Sequence, residues 1–362
     1  MFLMNNYMRR YYFITAIILA LSIACRNDKA TTAIVTQIDS PLTPYTLKTP
    51  PHFSKPYLPD YNPLTVEGVA LGRRLFYDSI LSSNGRSCSY CHHQSLGFMM
   101  KNSDIGLDPN YYPNIPALIN EAWNPYFGWD GVFPDADHIA LVDFGPMFFN
   151  SNIVNVITKL KADPTYPSMF KRVFPGQDVF VDGVIQEKVA FAVAQFARTI
   201  VSSNSKFDRY MMGLEQLTPQ ESNGYDLFMT EKGDCFHCHG SMLFTDNGFH
   251  NTGLDSIFEG YNRGRFNVTG LQKDMGLFRT PTLRNCALTA PYMHDGRYQT
   301  LDEVIEHYNS GVHKTATIDP IMTLPGKEMG LLLSTQQKAD LKAFLLTLTD
   351  TTIFTNPLYG RP

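Results

Sequence analysis

Positive charge is not in excess in this chain. Its 362 residues carry 30 Lys and Arg against 34 Asp and Glu, a net charge of −4. No basic footprint for nucleic acid is present, and the weak acidity does not oppose docking of a basic partner. A membrane-spanning apolar run is also missing, because Tyr11 to Ile23 is too short to cross a bilayer. Cysteine is scarce, with six residues in all. Four of them sit in two copies of one motif, Cys25 follows the apolar run, and Cys286 stands alone. No pair is left over for a disulfide, and Cys286 reads as a small buried apolar residue.

What is present begins with export. Arg9 and Arg10 precede the apolar run and Ala24 follows it, so residues 1–25 read as a cleaved signal peptide. Leu21-Ser22-Ile23-Ala24-Cys25 is similar to a bacterial lipoprotein signal, which makes Cys25 a lipid anchor to a membrane; ordinary cleavage beside an incidental Cys25 is the alternative. The expected location is the periplasm, membrane-anchored. Residues 26–59 are rich in Thr, Pro, Lys and Asp and read as a tether. Hydrophobic content of 44% with 18% charge is ordinary for a globular protein, and the length predicts roughly two domains.

The repeated motif is Cys88-Ser89-Tyr90-Cys91-His92 and again Cys235-Phe236-His237-Cys238-His239. C-x-x-C-H is the attachment pattern of a c-type haem. Two thiols at this spacing can bond two vinyl carbons of one porphyrin, and the histidine that follows is placed to ligate the iron. Cys88, Cys91, Cys235 and Cys238 are therefore expected to carry two covalent haem c groups, with His92 and His239 as proximal ligands. A four-thiolate zinc site is the competing reading. It leaves the histidine after each second cysteine unexplained, and it suits an oxidising compartment poorly.

Around the motifs the pattern is all-α and loop-rich. Thr65 can cap a helix reaching Tyr77, and further helices are expected at Ile153–Ala162 and Asp182–Ser203. Thr218, Thr300 and Ser334 each open a capping box, with helices running to about Thr230, to about Asn309, and across Leu341, Phe344, Leu345 and Leu348. Long Pro-, Asn- and Gly-rich segments, 97–146 and 240–279, are expected to wrap a cofactor. Gly72-x-x-Leu75-Phe76 and Gly224-x-x-Leu227-Phe228 form an internal repeat, one before each motif. Two cytochrome-c-like haem domains are expected, an N-terminal one at 60–204 and a C-terminal one at 205–350, with 351–362 as a tail.

Further motifs carry a resemblance. Leu71 to Asp78, Leu81 to Gly85 and Gly128-Trp129-Asp130-Gly131 lie in the first half; Arg279 to Asn285, Thr289 to Gly296, Thr300 to Gly311 and Leu331 to Asp350 lie in the second. In this order they resemble the bacterial dihaem cytochrome c peroxidase family, including its MauG-like branch. The resemblance implies a dihaem enzyme that reduces hydrogen peroxide to water with electrons from a small cytochrome c or copper protein. It makes the first haem peroxidatic and the second the electron-entry haem. It implies Tyr308 as distal ligand of the second iron, with Met293 as a thioether alternative, and Trp129 between the haems. It implies one calcium ion at Asn114, Thr289 and Pro291, and a homodimer. The alternatives are a MauG-like oxidase of a partner protein, and an electron-transfer protein without peroxidase chemistry.

Two departures from the family pattern concern the first haem. The distal histidine position falls at Gly106 or Leu107, neither of which can ligate iron. The acid–base glutamate position falls near Asn152. Asp130, Asp135, Asp137, His138 and Asp143 lie in the same loop. His138 is the catalytic candidate to test first, and the others read as surface or structural residues.

Overall fold

Each half of the chain is built on a pair of crossing helices. In the computed structural model, which describes residues 40–107, 112–328 and 330–362, Val66–Tyr77 packs on Val184–Ala197, and Pro219–Phe228 packs on Thr335–Leu346. Thr65 starts the first helix by accepting from the Gly68 amide at 3.0 Å. Thr218 with Glu221 and Ser334 with Gln337 start the second pair as reciprocal capping boxes. The rest is loop, short turns and small helices. Among the described residues sheet is confined to Phe249–His250 paired antiparallel with Phe278–Arg279, Phe249 facing Arg279.

The internal repeat has a packing reason. A Cβ on Gly72 would lie 1.8 Å from the Ala192 carbonyl oxygen, and one on Gly224 would lie 1.9 Å from that of Asp340. Each glycine lets its helix close onto the partner helix. Four residues beyond each contact sits a phenylalanine that meets the last residue of the repeat. Phe76 and Phe196 are 5.2 Å apart, and Phe228 and Phe344 are 5.1 Å apart. A third ring completes each cluster, Phe98 in the first half and Phe244 in the second. Two buried cores grow from these clusters. One holds Leu71, Leu75, Phe76, Cys88, Phe98, Val189 and Phe196; the other holds Phe207, Phe228, Phe244, Cys286, Leu341, Phe344 and Leu348. Both lie within one compact unit, Leu42–Pro362.

Several boundaries differ from the sequence expectation. The Asp182–Ser203 helix is shorter, Val184–Ala197, with Arg198 as its C-cap and the Arg198 guanidinium paired with the buried Asp137. Tyr166–Val173 and Lys206–Met211 are helices that the periodicity did not suggest. The second begins at Ser205, whose side chain and that of Asp208 cap each other. From residue 42 on, the stretch expected as a tether is packed: Phe53 is buried against Trp123, and the Trp123 indole N–H donates to the Ser54 carbonyl at 2.7 Å. The expected tail is packed too. Ile353 is buried in the first core, and Arg73 donates to the carbonyls of Gly360 and Pro357, both at 2.6 Å. Among the described residues no helix is long and apolar enough to cross a membrane. The signal segment and Cys25 lie outside the described residues.

Candidate haem sites

Each C-x-x-C-H motif forms one helical turn, Cys88–Cys91 in the first half and Phe236–His239 in the second. The two motif histidines are held alike. His92 Nδ1 bonds the Phe98 carbonyl at 2.9 Å, and His239 Nδ1 bonds the Phe244 carbonyl at 2.6 Å. A hydrogen bond at Nδ1 fixes the ring and the tautomer, leaving Nε2 as the donor atom for a metal. Both phenylalanines have positive φ, 60° for Phe98 and 53° for Phe244. That conformation is costly for a bulky side chain and concentrates at functional sites. The same strained residue type therefore turns its carbonyl to the same histidine in each half, while its ring joins the core. Burial lowers both imidazoles, His92 to about 4, so each is neutral as a ligand must be.

The second site is an extended cavity of about 300 Å³. Close-packed interiors keep few voids larger than a water molecule. The wall identifies what it fits. Cys235, Cys238 and His239 form one part, and Tyr308, Met293, Ile305, Leu341 and Leu345 form others. Tyr308 is turned inward by a π-helical turn, His307–Gly311, that follows the expected helix after Glu306. Burial raises its phenol, as do the charges of Cys238 and Cys235. His307, its neighbour, is buried and tied to the Thr252 carbonyl at 3.1 Å.

A cationic group stands in the same wall. Arg279 has a buried Nε with no partner. His250, beside it in the lining, is occupied at both ring nitrogens, by Asp246 at 2.9 Å and Asp319 at 2.5 Å. An orphaned guanidinium N–H is what a carboxylate of a porphyrin requires. The residues present thus fit a haem. Glu121, which burial pushes up to about 7 despite the charge of Arg279, completes this side. Neither Arg279 nor Glu121 carries a local signal for such a role; burial and the approach of distant segments create it.

Trp129 lies in the same wall. Its indole N–H donates to the Asn114 carbonyl, and its own carbonyl accepts from the Arg279 amide, both at 2.7 Å. Asn114, Thr289, Pro291 and Met293 also line the cavity. The Asn114 amide donates to the Pro291 carbonyl at 2.7 Å, and Asn114 Oδ1 is buried without a partner. The structure therefore gathers Trp129, Asn114, Cys235, Cys238, His239, Thr289, Pro291, Met293 and Tyr308 around one space. Cys88, Cys91 and His92 lie apart, in the first half. The two thiol pairs are not brought together, which removes the four-thiolate zinc reading.

The loop before the first core is accounted for residue by residue. His138 is half exposed and its Nδ1 is bonded to Asp135 at 2.6 Å; it does not line the cavity. Asp135 caps the Ala136–Ile139 turn, and Asp137 is buried against Arg198, Asn62 and Tyr61. Asn152 caps the Ile153–Ala162 helix. Gly106 ends a short turn with φ of 74°, and Leu107 packs beside Cys91.

Two motifs of this kind, each with a neutral imidazole presenting Nε2, define a dihaem protein of the c-type cytochrome class. The comparisons are more specific. The family model of di-haem cytochrome c peroxidase matches residues 66–216. The methylamine utilization protein MauG of Methylorubrum extorquens is 34% identical over 296 residues, 80% of each chain. The cytochrome c551 peroxidase of Nitrosomonas europaea is 33% identical over 252 residues, 67% of this chain and 73% of the relative. The crystal structure of a MauG-like protein associated with microbial copper homeostasis superposes with a TM-score of 0.77 at 32% identity, covering 88% of this chain and 99% of the other. The chain belongs to the di-haem cytochrome c peroxidase family and is an oxidoreductase; membership implies two haem c groups.

Proposed function

We propose that this protein reduces hydrogen peroxide to water at the Cys88–His92 haem, with electrons from a small cytochrome c or copper protein entering at the Cys235–His239 haem. The observation that carries the reading is Trp129. In the wall of the second site its indole N–H is held by the Asn114 carbonyl and its backbone carbonyl by the Arg279 amide, residues from either half of the chain. The bound haems supply the redox chemistry. The protein's part is to hold His92 and His239 neutral and oriented, to seat an anionic group against Arg279, and to hold a conjugated ring against the second site. Steady-state peroxide consumption with a reduced cytochrome donor tests the reading. Trp129→Phe is expected to slow it by more than tenfold while both haems remain attached. No turnover with any donor would reject the function.

Tyr308 is the proposed distal ligand of the second haem. It faces the cavity from a π-turn, and a phenolate there would favour ferric iron. Tyr308→Phe is expected to change the ferric spectrum of that haem alone, and an unchanged spectrum would leave Met293 as the ligand. The same tyrosine, with the MauG relatives, favours the second reading, a MauG-like oxidase acting on residues of a partner protein. A calcium ion is proposed at Asn114, Thr289 and Pro291, supported by the unpartnered Asn114 Oδ1; hard cations take such oxygens. A periplasmic location, with Cys25 as a lipid anchor, is part of the same proposal, supported by the sequence of residues 9–25.

A further inference from the structure

The approach to the second haem motif carries a group of donor atoms that haem attachment does not use. Glu231, Asp234 and His237 each offer one such atom, and the three lie within 4.8 Å of one another. Local structure brings them there. After the helix Pro219–Phe228 ends, the Thr230 carbonyl accepts from the amides of both Gly233 and Asp234, at 3.1 and 2.8 Å. A Cβ on Gly233 would lie 2.1 Å from the Leu227 carbonyl oxygen, so the turn closes tightly on the helix end. Asp234 completes it with a φ of 60°, a left-handed conformation that aspartate adopts more readily than most side chains. The chain then enters the motif turn, where the Phe236 ring lies against the His237 imidazole, 4.0 Å between centres. The reversal brings His237 Nε2 to 3.0 Å from Asp234 Oδ1 and 3.4 Å from Glu231 Oε1.

Two observations point to a metal ion. The Asp234 side chain is 7% exposed, yet its Oδ1 has no hydrogen-bond partner, although His237 Nε2 is so close. A buried carboxylate oxygen without a donor is costly and calls for a bound ion or water. The spacing is the second. Donors at about 2.0–2.2 Å from one zinc ion stand about 2.8–3.6 Å apart at right-angled to tetrahedral geometry, and both separations from His237 fall in that range. Lys327 balances the group from outside. Its ammonium bonds Asp234 Oδ2 and Glu231 Oε2, the other oxygen of each carboxylate. The inner oxygens stay available, and one ammonium does not neutralise two carboxylates. Glu231 and His237 are exposed, which leaves a further position for water, as zinc sites with three protein ligands have. Among the described residues the other group of this composition is Cys238, Asp246 and His250, and haem attachment consumes its thiol.

We propose that Glu231, Asp234 and His237 form a binding site for one divalent cation of the zinc class, with Glu231 Oε1, Asp234 Oδ1 and His237 Nε2 as its donors. One imidazole with two carboxylates suits such a metal, whereas calcium takes about six to eight oxygens. The site adjoins the second haem site. Asp234 and Lys327 also line its cavity, and His237 stands between Cys235 and Cys238. A dication there adds positive charge beside the motif and favours the reduced form of its haem.

Isothermal titration of the full-length dihaem protein with zinc chloride, in buffer already holding calcium, tests the site. One saturable zinc per chain is expected. Glu231→Gln and His237→Gln are each expected to weaken it by about tenfold or more, the scale on which losing even a supporting partner of a metal ligand acts. Glu231 is exposed and lies outside the haem motif, so its variant decides the matter if His237→Gln fails to keep haem. No saturable binding, or equal affinity in wild type and Glu231→Gln, leaves an adventitious surface ion only and overturns the proposal. Redox titration gives a second readout. Zinc is expected to raise the potential of the His239 haem and to leave that of the His92 haem unchanged; a shift in both or in neither overturns the assignment to this motif. The redox readout rests on haem attachment at both motifs, which counting haem per chain checks separately. Zinc binding does not depend on peroxide turnover, so a failure of either reading is distinguishable from a failure of the other.

Discussion

Replacing Arg284 with methionine is expected to lower unfolding free energy by about 3–5 kcal/mol. Arg284 and Asp208 are both fully buried and joined by two hydrogen bonds, 2.9 and 2.8 Å. Arg284 also donates to the Met242 carbonyl and lies 4.5 Å from the centre of the Phe53 ring. It thus ties the segment before the first helix, the Ser205 helix start and the second haem motif's loop to one guanidinium. Methionine fills comparable volume but leaves Asp208 charged in the core with His52 and Ser205 as its remaining partners. Urea denaturation at neutral pH measures the loss, and a change below about 1 kcal/mol, the worth of a surface pair, would contradict this account. The pH dependence has a definite sign. Burial raises the Asp208 carboxyl, but the bonds and charge of Arg284 outweigh it and hold it near about 2 against an ordinary 3.8. A depressed acid stabilises above its unfolded pKa, so this contribution is complete above about 4 and is lost as pH falls towards about 2. In the methionine variant the depressing partner is gone, and the deficit should shrink on acidification.

His92→Ala is expected to abolish peroxide turnover while the Cys235–His239 haem still accepts electrons from the donor. His239→Ala should also stop donor-driven turnover, but with the electron-entry step lost instead. Stopped-flow reduction followed at the two haem spectra separates the cases. The expectation rests on the matched geometry of the two imidazoles. Each is held by one backbone carbonyl and presents one free nitrogen, so neither can replace the other. Turnover in His92→Ala above that of the same amount of free haem would show that the first site is not where peroxide reacts.

The haem motifs, the capping boxes at Thr218, Thr300 and Ser334, and the Gly-x-x-Leu-Phe repeat were legible in the sequence because each is a local pattern; that its glycines mark helix crossings depends on Ala192 and Asp340 and was not. The Tyr166–Val173 helix escaped because it is short and starts at a proline, Pro167, within its first turn. The π-turn escaped because a helical period runs smoothly through Glu306 into His307, while the turn's Tyr308 and Asn309 carbonyls accept from the distant Leu331 and Leu332 amides. The carbonyls of Phe98 and Phe244 could not be foreseen, since nothing local favours positive φ at phenylalanine. Arg279 and Glu121 gain their character only from burial, which distant segments supply. His138 illustrates the reverse: a titratable type in a promising loop, occupied by a neighbour three residues away.

The packed segment after residue 350 has a consequence for biogenesis. The first core opens at Leu71 but is completed by Ile353, and the Arg73 and Tyr77 side chains donate to carbonyls of residues 357–361. Synthesis delivers the chain from its N-terminus, so the second core, spanning Phe207 to Leu348, is complete in sequence before the first. The half that carries the first haem motif cannot finish packing until the last segment of the chain has been made.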